Sequence, residues 1–309
     1  MNSRRDFIKQ MLAGTALLSL STSPLFSYAR KNLVKITILH TNDTHSRIEA
    51  FPMTDAKYPG MGGFARRAAL IKKIRAEEKN VLLFDAGDIF QGTPYFNKYA
   101  GELELKLMSE MGYDAATIGN HEFDNGLQKL SEVLSFASFP FICCNYNFKN
   151  TPMAGKTIPY KVFDVDDVRI GVLGLGIELA GLVSSPMYGN TVYTDAAEAA
   201  AQVTYLLKNN LKCDLIICLS HLGLKYENDK ISDMKLAKQS KNIDVIIGGH
   251  SHTFIDKPYR FKNSDNKEVI ICQVGYNGLK LGRLDFYFER KTKLKIAAYY
   301  TTKKINNQV

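Results

Sequence analysis

The stretch Ile38-Leu39-His40-Thr41-Asn42-Asp43-Thr44-His45 carries an apolar run directly into a polar patch. The same change from apolar to polar residues recurs at Gly87-Asp88, Gly119-Asn120-His121-Glu122-Phe123-Asp124, Ser220-His221 and Gly248-Gly249-His250-Ser251-His252. With the first patch taken as Asn42-Asp43-Thr44-His45, the polar patches contain five of the six histidines of the chain. In an open α/β sheet, the loops at the carboxyl ends of the strands converge on one edge. The patches therefore predict a single site rich in carboxylate, imidazole and amide groups.

The spacing of apolar residues predicts an α/β fold. Short runs rich in Val, Ile and Leu alternate with longer amphipathic segments, a βαβ rhythm. Strands are predicted at 34–40, 81–85, 115–118, 141–144, 169–175, 214–219 and 244–247. Helices are predicted near 64–71, 103–111, 125–136 and 195–207, the last opened by the capping box Asp195-Ala196-Ala197-Glu198. Three later runs, 269–274, 283–289 and 294–301, are expected to form consecutive antiparallel strands.

The residue types in the patches are those of a two-metal hydrolytic centre. Asp43 and His45 are two apart, so in an extended segment both side chains face the same side, and His250 and His252 repeat this spacing. Asp88 follows a glycine and presents a carboxylate that could bridge two cations. Two further candidate ligands, an amide oxygen and an imidazole, are Asn120 and His221.

Mixed nitrogen and oxygen ligands suit Zn, Mn, Fe or Mg, and the sequence does not distinguish among these metals. The patches contain no thiolate, which disfavours a closed structural zinc cluster. Two divalent cations about 3.5–4 Å apart can hold a bridging hydroxide and clamp a phosphoryl group for in-line displacement. The expected reaction is therefore the hydrolysis of a small phosphorylated substrate.

Two residues after the third strand have a different expected role. His121 follows Asn120 directly, so it can reach over the site toward charge that develops on the substrate. Asp124, three residues later, can fix the His121 ring and favour its imidazolium form. His40 lies inside or at the end of the first strand and is expected either to support a metal ligand or to be a packed residue.

Residues 1–29 have the features of an export signal. Ser3-Arg4-Arg5-Asp6-Phe7-Ile8-Lys9 has the twin-arginine pattern, and Ser27-Tyr28-Ala29 resembles a cleavage site. The apolar run between them is too short to span a bilayer. The sequence thus predicts export through the twin-arginine route to the periplasm, no membrane anchor, and one domain over residues 30–309.

Composition excludes several classes of protein. Hydrophobic residues make up 45% and charged residues 23% of the chain, which is ordinary for a soluble protein with a sizeable core. Much of the net charge of +9 is dispersed, apart from small basic clusters, and a diffuse basic surface would attract phosphorylated small molecules. No nucleic-acid partner is expected, because aromatic and basic residues do not interleave along the chain as they do in single-strand binders. Five cysteines without zinc-finger spacing are expected to be buried thiols.

The patches resemble those of the calcineurin-like metallophosphoesterases, in particular the N-terminal catalytic domain of the exported 5′-nucleotidase / UDP-sugar hydrolase / 2′,3′-cyclic phosphodiesterase family. The resemblance extends from about residue 34 to the C-terminus and implies a four-layer α/β/β/α sandwich. It implies that one metal is held by Asp43, His45, Asp88 and His252, and the second by Asp88, Asn120, His221 and His250. His121 and Asp124 match the catalytic dyad of the family.

The leading hypothesis is a 5′-nucleotidase-type phosphomonoesterase whose substrate is a nucleotide. A phosphodiesterase acting on cyclic nucleotides or nucleotide sugars is the alternative, and the thiosulfohydrolase branch shares the same centre. Members of the family normally continue into a second, substrate-binding domain, which residues 30–309 do not include. A separate protein could supply that domain, in which case this chain would be a catalytic subunit that is inactive alone, or the substrates could be smaller phosphoesters.

Overall fold

The computed structural model describes residues 32–308, so the predicted twin-arginine signal at 1–29 lies outside the described residues. The strands of the two main sheets and of a small two-stranded sheet are β1 Leu33–Thr41, β2 Val81–Asp85, β3 Ala115–Ala116, β4 Phe141–Ile142, β5 Tyr146–Asn147, β6 Thr157–Ile158, β7 Tyr160–Val165, β8 Val168–Leu175, β9 Val192–Tyr193, β10 Leu215–Ser220, β11 Val245–Gly248, β12 Tyr259–Lys262, β13 Glu268–Cys272, β14 Lys280–Glu289 and β15 Lys295–Lys304.

The α-helices lie mainly in the connections between parallel strands. They are α1 Phe64–Glu77, α2 Pro94–Tyr99, α3 Glu102–Glu110, α4 Gly126–Val133, α5 Ser185–Tyr188, α6 Ala196–Tyr205 and α7 Asp233–Gln239. The predicted helix at 125–136 is α4 followed by a 3₁₀ turn at Leu134–Phe136. The Asp195 side chain accepts a hydrogen bond from the Glu198 amide at 2.9 Å, as the predicted capping box requires.

Two sheets form the centre of the molecule. The seven-stranded sheet has the order β15-β14-β1-β2-β3-β4-β6, and the six-stranded sheet has the order β12-β13-β11-β10-β8-β7. In the first sheet β1, β2, β3, β4 and β6 are parallel, and in the second β8, β10, β11 and β13 are parallel. The prediction of an α/β fold is confirmed.

Side chains along each strand point alternately to the two faces of its sheet. One hydrophobic layer therefore lies between the two sheets, and a further layer lies on the outer face of each sheet. In β10, Ile217 and Leu219 face the layer between the sheets, whereas Ile216 and Cys218 pack under α6 and α7. On the opposite side, Leu39 of β1 packs with side chains of α1, α3 and α4. Because side chains of a strand alternate between faces, each sheet is buried on both faces. The layers therefore follow the expected α/β/β/α order.

The expected pairing of the last strands is wrong in part. β14 and β15 are antiparallel neighbours in the seven-stranded sheet, as predicted. β13 instead lies in the six-stranded sheet, parallel to β11, and pairs on its other side with β12, which the sequence analysis missed. The β12 strand Tyr259–Lys262 is largely exposed and therefore lacks an apolar run. Strand order in a sheet follows tertiary packing rather than order along the chain.

All five cysteines are free thiols, and four of them are buried. Within residues 32–308, no helix combines the length and the apolar character needed to cross a membrane.

Candidate metal centre

The polar patches meet where the carboxyl ends of both sheets come together. In the first sheet Thr41 lies opposite Asp85, and in the second Ser220 lies opposite Gly248, so neighbouring strands end at the same level. The amide of His250 donates to Asp43 Oδ1 at 2.9 Å and links the two sheets directly. The predicted convergence of strand ends thus takes place between two sheets rather than along the edge of one.

Two clusters of potential metal ligands lie in this region. The first donor group is Asp43, His45 and His252, and the second donor group is Asp88, His221 and His250; within each group the ligand atoms lie within 4.8 Å of one another. In the first group, the Nε2 atoms of His45 and His252 are 2.9 Å apart. In the same group, His252 Nε2 is 3.4 Å from Asp43 Oδ1.

Asn120 lies beside the second donor group. His221 Nε2 lies 3.0 Å from Asp88 Oδ2, and both side chains are buried. The Oδ1 atom of Asn120 is 2.8 Å from His250 Nδ1. The backbone oxygen of Asp88 accepts from the His45 amide at 3.1 Å, so the loop of Asp88 touches both groups.

The backbone explains why these side chains converge. Asp43, His45, Asp88, His250 and His252 all have φ between 46° and 67°, in the left-handed region. Asp43 and His45 do lie on the same side, but the predicted cause is wrong. Left-handed turns bring them together, not an extended backbone. Non-glycine residues in this region cost about 1–3 kcal/mol each and cluster at functional sites.

The glycine before His250 serves close packing. A Cβ atom on Gly249 would lie 2.8 Å from both the Ala86 oxygen and His221 Nδ1. Such a contact is too short for any side chain, so only glycine lets the two sheets approach here.

Burial and charge act in opposite directions on the buried pair. Burial lowers the pKa of His221, but the negative charge of Asp88 outweighs it and raises that pKa to about 10. Burial raises the pKa of Asp88, yet His221 and then His45 hold it below its ordinary value. For His250, burial and the neighbouring His221 lower the pKa to about 4. Burial also lowers the pKa of His45.

His121 and Asp124 form a hydrogen-bonded pair beside the first donor group. His121 Nδ1 is 2.8 Å from Asp124 Oδ2, and this bond raises the pKa of His121. The His121 ring lies 5.4 Å from the ring of His45, centroid to centroid, and both members of the pair are partly exposed. The pair can therefore present a proton to a group bound at the centre.

Glu122 lies inside the patch that begins at Gly119 but is not among the predicted site residues. Its carboxylate accepts four backbone hydrogen bonds, from the amides of Asp88, Ile89, Phe90 and Gly119 at 2.6–3.3 Å. Burial and the nearby Asp88 raise the pKa of Glu122 to about 7, whereas the four N–H donors favour its ionised form. Glu122 thus ties the loop of Asp88 to the loop of Asn120. Its position directly after Asn-His was the signal that could have found it.

Backbone and amide groups orient the candidate ligands from behind. Asn42 donates to Asp43 Oδ2 at 2.5 Å and accepts from the Val274 amide at 2.9 Å. His221 Nδ1 lies 2.7 Å from the oxygen of Ala86. Partners of this kind fix the tautomer and orientation of metal-binding histidines.

The donor sets fit divalent cations. Nitrogens of two imidazoles at 2.9 Å, with a carboxylate beside them, form the mixed N/O environment that such metals prefer. Among the described residues, the buried Nε2 atom of His221 has no hydrogen-bond partner in suitable geometry. A cation would satisfy this atom.

His40 is a packed residue, as expected. It is fully buried, and its ring stacks on Tyr300 with centroids 6.1 Å apart. Burial lowers the pKa of His40 to about 3, so the ring is neutral at physiological pH.

The family model described as calcineurin-like phosphoesterase matches residues 36–254. The chain belongs to this family. The phosphoesterase is 34% identical over 277 residues to the snake venom 5′-nucleotidase of Gloydius brevicauda, covering 83% of this chain and 46% of the relative. It is 35% identical over 278 residues to the 5′-nucleotidase of Homo sapiens, and this match covers 83% of this chain and 47% of the human protein.

Its structure is similar to that of a 5′-nucleotidase precursor from Thermus thermophilus. The TM-score is 0.80 at 32% identity, and the match covers 89% of this chain and 55% of the other. The phosphoesterase therefore spans about half the length of these relatives.

Proposed function

We propose that this phosphoesterase hydrolyses phosphate monoesters of nucleotides in a metal-dependent, 5′-nucleotidase-type reaction. The observation that carries the proposal is the meeting of two donor groups, both touched by the loop of Asp88, where the two sheets converge. The relatives named above are 5′-nucleotidases, and a phosphodiesterase function is therefore not favoured.

We assign the ligands as the sequence motifs suggest. One divalent ion would be held by Asp43, His45, Asp88 and His252, and a second by Asp88, Asn120, His221 and His250, with Zn, Mn, Fe and Mg as candidates. When bound, such ions polarise phosphoryl oxygens and lower the pKa of water. The protein supplies the fixed geometry, since the loops are held from behind by Glu122 and Asn42.

His121 is the proposed proton donor toward the leaving oxygen or the phosphoryl oxygens. The hydrogen bond that His121 Nδ1 donates to Asp124 favours the protonated ring, and the partial exposure of His121 lets it contact a substrate. Asp124 orients that ring and stabilises its charge. General acid catalysis by a positioned side chain is worth roughly 10²–10⁴-fold in rate.

Two substitutions separate metal binding from proton transfer. Asp43→Asn should lower bound metal and hydrolysis of 5′-AMP together, whereas His121→Asn should keep the metal and slow turnover by roughly 10²–10⁴-fold. Asp229→Asn, at an exposed carboxylate, is the control and should change neither quantity. The proposal fails if the metal-loaded wild type releases no phosphate from nucleotides, or if Asp43→Asn retains full metal and activity.

We also propose twin-arginine export to the periplasm, which is supported by the pattern of residues 1–29. Export is tested by replacing Arg4 and Arg5 with Lys and locating the protein.

A further inference from the structure

One buried glutamine lies behind residues 249–253, the segment that carries His250 and His252 and that we call the histidine segment. Gln273 directly follows β13, and its side chain is fully buried. Its Nε2 atom donates to the oxygen of Gly249, the residue before His250, at 2.7 Å. Its Oε1 atom accepts from the amide of Thr253, the residue after His252. Both histidines are therefore enclosed between two hydrogen bonds of one side chain.

Ser251 extends these contacts to the loop of His221. The Ser251 hydroxyl donates to Gln273 Oε1 at 3.2 Å and accepts from the amide of Leu224 at 3.1 Å. Leu224 lies three residues after His221, which belongs to the second donor group. The buried amide of Gln273 is thus linked to the loop that follows β10 as well as to the histidine segment.

Only one orientation of the Gln273 amide satisfies these partners. The oxygen of Gly249 requires a donor and the amide of Thr253 requires an acceptor, so a side chain rotated by half a turn would lose both bonds. A Cβ atom on Gly248 would lie 3.2 Å from Gln273 Nε2, so a larger residue there would crowd the amide. The backbone oxygen of Gln273 accepts from the Ile255 amide at 3.1 Å. Hydrogen bonds and packing together fix the position of this side chain.

The histidine segment depends on contacts of this kind for its shape. His250 and His252 have φ of 67° and 53°, in the left-handed region. For residues other than glycine, such backbone persists only where the surrounding structure holds it. The His250 amide is held by Asp43. Gln273 adds one contact at each end of the segment.

We propose that Gln273 is a positioning residue for both donor groups, because its amide sets the spacing of His252, in the first group, and His250, in the second. The inference rests on the proposed function, since it takes these histidines as metal ligands. Gln273 acts through the backbone at the two ends of the histidine segment and is not itself a ligand. Side chains that orient ligands in this way typically change metal affinity about 10- to 100-fold when they are replaced.

The test is a titration of the metal-free full chain with Co²⁺, followed by calorimetry and by the visible absorption of the bound ion. His250→Ala and His252→Ala assign the two binding steps, because each removes a ligand from one donor group. Gln273→Leu removes both hydrogen bonds at similar volume and should raise the Kd of both steps about 10- to 100-fold. Gln128→Leu, at an exposed glutamine of α4, is the matched control and should change neither step.

Gln273→Glu, measured at pH 8, separates positioning from a general loosening of the fold. A carboxylate still accepts from the Thr253 amide, but it cannot donate to the oxygen of Gly249. The Kd of the step assigned to His250 should therefore rise about 10-fold or more, whereas that of the step assigned to His252 should change less than about threefold. A general loosening of the fold would weaken both steps alike.

The outcomes distinguish the inference from the proposed function. A wild type that binds two Co²⁺ ions but releases no phosphate from 5′-AMP refutes the proposed function, and the titrations still decide the role of Gln273. A wild type that binds no Co²⁺ refutes both.

Urea unfolding of the metal-free variants shows whether each is folded. If Gln273→Leu unfolds cooperatively and either step keeps the wild-type Kd, joint positioning by Gln273 is refuted. If Gln273→Leu does not fold, Gln273→Glu decides alone. Selective weakening of the His250 step then supports the positioning role, and equal weakening of both steps or no change refutes it.

Discussion

His221 Nε2 lies 3.0 Å from Asp88 Oδ2 in a place where neither side chain reaches solvent. Each of these groups belongs to a different sheet: Asp88 follows β2 and His221 follows β10. Their attraction therefore joins the two halves of the sandwich at the point where the second cation is proposed to bind. Removing one member leaves the other charge buried without its partner, which is costly.

His221→Ala should destabilise the metal-free protein by about 3–5 kcal/mol, since it strands the Asp88 carboxylate. Urea unfolding after chelation measures this change. His252→Ala is the matched control, because its side chain is 41% exposed and lies 3.4 Å from Asp43. The control should cost less than about 1 kcal/mol while still lowering metal content. Equal losses in the two variants would contradict the role of the buried pair.

Glu122→Gln should loosen both loops that Glu122 joins. An amide group cannot accept hydrogen bonds on both of its terminal atoms, so at least one pair of backbone donors loses its acceptor. We expect a loss of about 1.5–3 kcal/mol in unfolding free energy together with reduced metal content. Glu132→Gln, at an exposed glutamate of α4, should change neither. Full metal binding in Glu122→Gln would contradict the proposal that Glu122 holds the loops of Asp88 and Asn120 in place.

Asp124→Asn should slow turnover less than His121→Asn, because Asp124 acts through His121. Losing a hydrogen bond to a charged group costs about 1.5–3 kcal/mol, which corresponds to a fall in kcat of about 10- to 150-fold. Metal content should not change. The double variant should be no slower than His121→Asn alone, since both changes remove one function. Additive losses would show that the two residues act independently.

The buried, neutral His40 should lower the unfolding free energy of the metal-free protein as pH falls. Burial lowers its pKa from 6.5 to about 3. Between these values the unfolded chain binds a proton that the folded chain does not, so this contribution is full above pH 6.5 and falls as pH approaches 3. The slope is at most about 1.4 kcal/mol per pH unit.

His40→Met removes the titrating ring and should flatten the fall in unfolding free energy over this pH range. Comparison with the wild type cancels the contributions of buried acids such as Asp85 and Asp233, whose pKa values burial raises to about 7. Urea unfolding at several pH values provides the measurement. Parallel curves for the two proteins would refute a buried, neutral His40.

Much of the fold could be predicted because strands buried on both faces have apolar runs. β1, β2, β8, β10 and β11 lie close to their predicted positions. β12 could not be found, since it is an exposed edge strand. The sheet membership of β13 could not be predicted either, because β14, the strand that follows it in sequence, lies in the other sheet.

The sequence by itself determined which chemical groups are available and that each follows a strand, since residue identity and apolar periodicity are local properties. Only the tertiary structure decided how these groups meet. The left-handed turns at Asp43 and His250 are set by packing between two sheets, and so is the proximity of Asp88 to His221. The contact between Tyr58 and Tyr276 likewise exists only in the folded chain, because these residues are more than 200 positions apart in sequence.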